Sequence, residues 1–353
     1  MEVKMKNALT ALLLTLCLNY YALAQTKDAP AQPSGKSNKT QKAVTTQSPE
    51  LTEADDLSAR VLVLYGERQY DKALSLAKRI LALREKSVGQ ENELTANALS
   101  NLAAIYAAKA EYRESETLYK RALKILERSA GEDSFKVSVV FENYAFVLFA
   151  VFDYNKAESS YQRVLSIREK VLKPEDENLT RAIYNLAQFY SAKGEYEKAD
   201  SFYQRLITIK EKTHQPKSPE LIKAFDDYAC LMLKKKQEDK AREILSRNHN
   251  VVYKKPRDSD GNITSEVLNG KALNRPEPVY PAIAKAARQQ GVVPVQIFVD
   301  EAGNVTCAAA ISGPPLLIKS AEQASYQTRF SPTLVSGQPA FVVGLITMSY
   351  SIR

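Results

Sequence analysis

The chain has 353 residues, of which 44% are hydrophobic and 25% charged, with a formal net charge of +8. That length exceeds one ordinary domain and leaves room for two or three, and the composition excludes a chain that is disordered throughout. Its basic residues are spread among acidic ones and form no Lys/Arg stripe with interleaved aromatics, so the excess serves solubility and no nucleic-acid partner is expected.

Residues 1–24 read as an export signal. Lys4 and Lys6 give a positive start, Ala8 to Leu18 an apolar core, and Ala22-Leu23-Ala24 a small-x-small cleavage site before Gln25. The apolar core, about 11 residues, falls well short of the ~20 that span a bilayer comfortably. Two outcomes stay open: cleavage, giving a periplasmic or secreted chain, or retention as an inner-membrane anchor with the rest facing the periplasm. Leu16 is too large for the small residue that precedes a lipidated cysteine, which argues against modification at Cys17. Residues 25–54 hold almost no large apolar side chains, cannot offset their ordering entropy, and read as a disordered linker.

From 55 to 248 one pattern returns every 42 residues. Tyr70, Tyr112, Tyr154 and Tyr196 keep this spacing and Glu238 takes the fifth place; three residues after each stands Ala73, Ser115, Ala157, Ala199 or Ala241. Asn101, Asn143, Asn185 and Asp227 precede the last four anchors, each followed two places on by Ala103, Ala145, Ala187 or Ala229, and Tyr119, Tyr161 and Tyr203 hold the same register. A repeat of this length is one supersecondary unit that buries its apolar face against its neighbours. Each unit reads as two helices. In the fourth, Leu186, Ala187 and Tyr190 recur at helical spacing, Gly194 interrupts them, and Tyr196, Ala199, Tyr203, Leu206 and Ile207 resume the pattern.

The series Asn185-Leu186-Ala187-x-x-Tyr190-x-x-x-Gly194-x-Tyr196-x-x-Ala199 resembles the tetratricopeptide repeat, in the 42-residue form of kinesin light chains. The second unit repeats it from Asn101 to Ser115 with Ala110 for the glycine, and the third from Asn143 to Ala157 with Phe152. About five repeats are expected, the first diverging in its leading helix and the fifth lacking its tyrosine, as terminal repeats do. The resemblance implies a concave face lined by the first helix of each unit, where Asn101, Asn143, Asn185 and Asp227 would grip the backbone of a protein or peptide ligand. An Asn side chain carries a donor and an acceptor and can pair with any main chain; the alternative is that these residues brace neighbouring helices. Phe146, Phe149 and Tyr184 are expected to give that groove an apolar floor.

The period stops at His249, and residues 249–274 read as a linker with a turn at Asp258-Ser259-Asp260-Gly261-Asn262. In 275–353, Tyr280-Pro281 opens a short helix that ends at Gly291. Val293, Val295, Ile297 and Val299 then alternate as a strand, Asp300 to Asn304 turns, and Val305 to Ile311 alternates back as a hairpin. Leu316 to Ser325 suggests a second helix and Phe341 to Ile352 a last strand rich in β-formers. Pro294 inside the first strand removes a ladder donor and points to an edge or bulge.

Pro278-x-Tyr280-Pro281, Gly291-x-Val293-x-Val295, Asp300-x-x-Gly303-x-Val305, Phe330-x-Pro332 and Gly337-x-Pro339 resemble the C-terminal domain of TonB proteins, with Thr328 where a tryptophan is usual. The fold class is therefore multidomain: an all-α repeat solenoid followed by a small α+β domain with a three-stranded sheet and two helices on one face. The resemblance implies that the last strand accepts an extended peptide by β-augmentation, from an outer-membrane receptor, along Phe341, Val343, Leu345, Thr347 and Ser349. The alternative is an ordinary strand that makes a dimer contact.

With Cys17 removed by cleavage, Cys230 and Cys307 remain, in different segments, so no disulfide within one domain is expected and both read as buried small hydrophobes. Two Cys with His214 and His249 make no zinc spacing, and no acid–base or nucleophile constellation stands out. No metal, no cofactor and no catalysis are expected. Two readings differ in class: an exported interaction scaffold in cell-envelope transport, or a membrane-anchored energy transducer that couples inner-membrane motor proteins to receptor opening.

Overall fold

The structure is a computed structural model and describes residues 48–247, 249, 251–253 and 272–352. The expected export signal and most of the following linker lie outside the described residues. The chain divides into two compact units, Met1–Ala182 and Ile183–Arg353.

The first unit holds α1 (Pro49–Gly66), α2 (Tyr70–Val88), α3 (Glu93–Ala108), α4 (Tyr112–Ala130), α5 (Phe135–Ala150), α6 (Tyr154–Val171) and the start of α7 (Glu177–Lys193). Helix α1 begins inside the stretch expected to be linker: Ser48 caps it by accepting from the Leu51 amide, and Pro49 follows in the first turn, where its missing N–H costs nothing. The second unit continues through α8 (Tyr196–Thr213), α9 (Pro219–Lys234) and α10 (Glu238–Ser246) into the C-terminal domain.

Three local devices repeat with the period. Asn92, Ser134, Asp176 and Ser218 start α3, α5, α7 and α9, their side chains accepting from the amides of Leu94, Val137, Asn178 and Leu221. The small residues at Ala73, Ser115, Ala157, Ala199 and Ala241 are fully or almost fully buried, and Ser115 Oγ donates to the Ala103 carbonyl of the partner helix at 2.8 Å. Between the helices of each pair one residue turns left-handed: Arg68, Ala110, Phe152, Gly194 and Lys236, with φ of 59°, 61°, 64°, 85° and 59°. The next amide then reaches back to close the helix end, as from Glu111 to the Tyr106 carbonyl at 2.9 Å. Glycine suits this conformation, yet only one of the five is glycine; the helix-end closure over-determines the others.

A second period places arginines inside the first unit. Arg84 and Arg168 are almost completely buried, and each sends Nη1 to a carbonyl of the following helix, Leu94 at 3.2 Å and Asn178 at 2.8 Å. Arg168 also forks onto Glu142, at 3.0 and 2.6 Å, and Arg181 approaches the same carboxylate at 3.3 Å. Burial alone would raise the Glu142 carboxyl, but the charges of Arg168 and then Arg181 more than offset it and hold it at about 2.

In the second unit the C-terminal domain contains β1 (Val251–Tyr253), β2 (Ala272–Asn274), α11 (Ala282–Ala286), β3 (Gly291–Val299), β4 (Val305–Ala310), α12 (Pro315–Tyr326), β5 (Arg329–Phe330), β6 (Leu334–Val335), β7 (Gln338–Pro339) and β8 (Phe341–Tyr350). The expected hairpin is β3–β4, and β8 lies antiparallel on the other side of β3. The expected three strands are extended by β1, which lies in the presumed linker and pairs in parallel with Phe341–Val343, giving the order β1-β8-β3-β4.

Pro294 therefore sits in the central strand, not at an edge. Its missing N–H falls just outside the stretch where β3 pairs with β4, Val295–Val299, while its carbonyl accepts from the Ile311 amide at 2.9 Å. On one face of the sheet Val293, Val295, Ile297, Ile346, Met348 and Tyr350 form a core with Ala284 of α11 and Leu317, Ala321 and Ala324 of α12. The opposite face is buried as well, through Gln296, Phe298, Cys307, Ala309, Phe341 and Val343. What covers it is α9, which packs against β4 and is joined to it by a Cys230–Cys307 disulfide with Cα atoms 5.7 Å apart. This corrects the expectation of two unlinked cysteines: they lie on different segments, but the fold stacks those segments.

Two outcomes test these devices. Ala110→Gly removes a left-handed alanine and is expected to stabilise the chain by about 1 kcal/mol, seen as a raised thermal midpoint by circular dichroism, with Gly194→Ala shifting it the other way. Glu142→Gln strands the Arg168 charge and should cost about 3–5 kcal/mol near neutral pH. Because the folded carboxyl is depressed, the wild-type advantage is complete above its unfolded value of about 4.3 and disappears as pH falls through the folded one. Denaturant unfolding of both proteins at pH 7 and pH 2.5 checks the sign.

Candidate functional site

Each unit carries some of the residues expected to line a groove. In the first, Asn101 on α3 and Asn143 on α5 are half-buried, as is Phe149, whose ring lies 5.6 Å from that of Tyr154. Phe146 does not join them: it is 5% exposed and belongs to the core. Helix α5 is buried over 137–140 and again over 144–148 with Glu142 between, so helices on more than one side cover it and apolar spacing alone does not mark its open face.

In the second unit Asn185 on α7 and Asp227 on α9 are half-buried. Asp227 is already engaged. Tyr184 donates its hydroxyl to Oδ2 at 2.8 Å, Gln188 donates to the same hydroxyl at 2.8 Å, and Lys223 pairs with the carboxylate at 3.2 Å. Burial first, and then the Asp227 charge, push the Tyr184 phenol up, which keeps it a neutral donor. Tyr184 and Asp227 thus brace α7 against α9, the alternative that the sequence left open for the polar ladder.

The second surface is the outer edge of β8. Pro294 points its carbonyl towards β4, so Thr347, its partner across the ladder, forms a non-hydrogen-bonded pair and turns its own N–H and carbonyl away from β3. By the two-residue period Phe341, Val343, Leu345 and Ser349 do the same. The sequence named this set, but it is not uniformly open. Strand β1 pairs with Phe341–Val343, and the Arg275 guanidinium donates to the Thr347 carbonyl. Among the described residues no strand pairs with this edge from Gly344 to Tyr350. Side chains follow the same division: Phe341, Val343 and Leu345 are buried, Thr347 half-buried and Ser349 exposed.

Three features escaped the sequence reading: β1, Arg275 and the ties that fasten the sheet to the last repeat. The even cysteine count left once Cys17 is set aside was the available signal for the disulfide; a three-residue strand and a single arginine carry none. His249 makes a further tie. Its ring stacks on Phe341 with centroids 4.1 Å apart, Nε2 lies 2.7 Å from Asp226 Oδ1 on α9, and Nδ1 lies 3.4 Å from Glu301 in the β3–β4 turn. Burial opposes the imidazolium, but the hydrogen bond and charge of Asp226, with Glu301 behind them, raise the His249 pKa above its ordinary value. Burial also pushes the Asp226 carboxyl up, which His249 offsets in part.

Paired helices in series, closed by a small sheet-and-helix module, define a protein-interaction scaffold, and both parts are of kinds that typically bind without catalysing. Residues 57–128, 136–212 and 179–247 match the tetratricopeptide repeat, and residues 276–352 match the Gram-negative bacterial TonB protein C-terminal domain. The repeat matches span more than half of the chain, and the protein belongs to the tetratricopeptide repeat family, with a TonB C-terminal domain after the array. Among solved structures, the TPR-like repeats of a Podosopora anserina kinesin light chain are 18% identical, covering 57% of this chain and 95% of that one at a TM-score of 0.50. BtubC from P. vanneervenii is 20% identical, covering 56% and 80% at a TM-score of 0.51. At such identities the likeness shows the fold alone. Among curated proteins none matches the chain.

Because the His249 pKa is raised on folding, its contribution is complete below about pH 6.5 and is lost as pH rises through the folded value. His249→Gln is expected to destabilise the chain by about 1–2 kcal/mol at pH 6 and by less at pH 9; paired unfolding curves measure the difference.

Proposed function

We propose that the protein is a non-enzymatic, exported interaction scaffold of the cell envelope, whose repeats take one protein or peptide and whose C-terminal domain takes another as an added strand. The observation that carries this reading is the β8 edge from Gly344 to Tyr350, where Leu345, Thr347 and Ser349 turn their backbone groups outward and no described strand meets them. An unpaired run of this kind is a template for an extended chain, the backbone supplying affinity and the flanking side chains selection. In the repeats, Asn101, Asn143 and Phe149 of the first unit and Tyr184 and Asn185 of the second are the residues assigned to ligand contact; Asp227 takes that role only if it exchanges the Tyr184 hydroxyl for a ligand donor.

Export is supported by the match to an envelope domain and by the Cys230–Cys307 bond, because disulfides persist in oxidising compartments and are rare in reducing ones. Residues 1–24 then serve as the signal and the residues up to Ser48 as a tether. Among the described residues no helix is long and apolar enough to cross a membrane. An outer-membrane receptor segment is the partner assigned to the edge.

Thr347→Pro tests the strand addition. It deletes one outward donor without touching the β3–β8 ladder, so the fold should remain while an extended peptide, selected from a displayed library on the full chain, binds at least tenfold more weakly. Selected peptides that bind wild type and variant equally, or that leave the amides of 344–350 unprotected from exchange, would overturn the reading.

A further inference from the structure

The C-terminal domain lies against the helix that carries the last residue of the expected ladder. Lys223, Asp227, Cys230 and Lys234 follow one another along α9 at helical spacing and so share a face, the face that carries the ladder residue Asp227. Against it lie β4, through the Cys230–Cys307 bond, and α12, whose Tyr326 hydroxyl stands 3.8 Å from Cys230 Sγ. Strand β1, which follows the last helix, pairs with Phe341–Val343.

The docked state leaves two polar groups poorly satisfied. Gln296, 3% exposed and on the sheet face turned to α9, has no described partner for its amide nitrogen. Lys234 is depressed by burial, which Glu322 and Asp227 offset only in part. Groups of this kind favour separation. What opposes it is the burial of Phe298, Ala309, Phe341 and Val343 on that face, the His249 tie, β1, and a covalent bond between residues 77 apart in sequence.

We infer that Cys230–Cys307 is a redox latch: oxidised, it holds the C-terminal domain over the Asp227 face of α9 and β1 over the start of the β8 edge; reduced, it lets the domain leave and opens both surfaces. The reductant is a dithiol protein. One of its thiolates attacks the sulfur of Cys230, the less buried of the two residues (Cys230 is 7% and Cys307 1% exposed), forming a mixed disulfide and expelling Cys307 as a thiolate. The second thiol of the reductant then releases Cys230. Two electrons pass to the protein, two protons complete the thiols, and the reductant leaves as its own disulfide.

The test uses the full chain and needs no ligand, so its result is independent of whether the edge binds a peptide. Digestion without reductant should yield a Cys230–Cys307 linked peptide. Treatment with dithiothreitol should then raise amide exchange at Val251–Tyr253, Phe341 and Val343, and the rate of Lys234 acetylation, at least tenfold, with α1 to α6 unchanged. The double variant Cys230→Ser/Cys307→Ser should behave like the reduced chain with or without dithiothreitol; if it does not fold, the reduced wild type supplies the comparison. No linked peptide, or exchange and acetylation indifferent to reduction, overturns the latch.

Discussion

The constraint behind this architecture is that no element can bury its apolar surface alone. A pair of helices closes on a contact between small side chains, as where Ser115 meets the Ala103 carbonyl, and that closeness leaves the larger residues to project to either side. The outer surface of each pair is then satisfied by the next pair. The tyrosines of the repeat are the filling of that arrangement: Tyr119 and Tyr203 are almost fully buried, with rings at 6.2 Å from Tyr144 and 5.8 Å from Tyr228.

Polar groups inside such an array are tolerated where they solve a backbone problem. A helix start leaves amides without partners, and the capping series at Asn92, Ser134, Asp176 and Ser218 supplies acceptors. Arg84 and Arg168 donate from inside the core to first-turn carbonyls of the following helix, which gives each buried guanidinium an acceptor. Once Arg168 is there, Glu142 must be ionised beside it, which ties the integrity of that repeat to the charge on one carboxylate.

The C-terminal sheet shows the same constraint. Its first face is closed by α11 and α12, but the alternating apolar residues of β3 and β8 leave a second face that water would otherwise wet. Helix α9 packs against it at β4, so the domain and the last repeat are one packing problem, and β8 meets His249 and β1 at its start while no described strand pairs with its later residues. The place where the molecule is closed and the place where it can add a strand are two parts of one strand.

The sequence alone determined the repeat, its helices, the hairpin and the family of each part, because these rest on local spacing: a 42-residue period, an alternation of two, a turn residue at a fixed offset. The β8 edge positions came from the resemblance, because alternation alone does not say which of two alternate sets turns its backbone outward. Only the tertiary structure decided which neighbours cover them. Phe146 went to the core because α5 is covered on more than one side, Asp227 was taken by Tyr184 and Lys223, Pro294 proved harmless in a central strand because its ladder to β4 starts one residue later, and two cysteines far apart in sequence met because a sheet with two apolar faces needed a second cover. Periodicity reports which side of an element is apolar; it does not report what will lie against that side, which is a property of the whole fold.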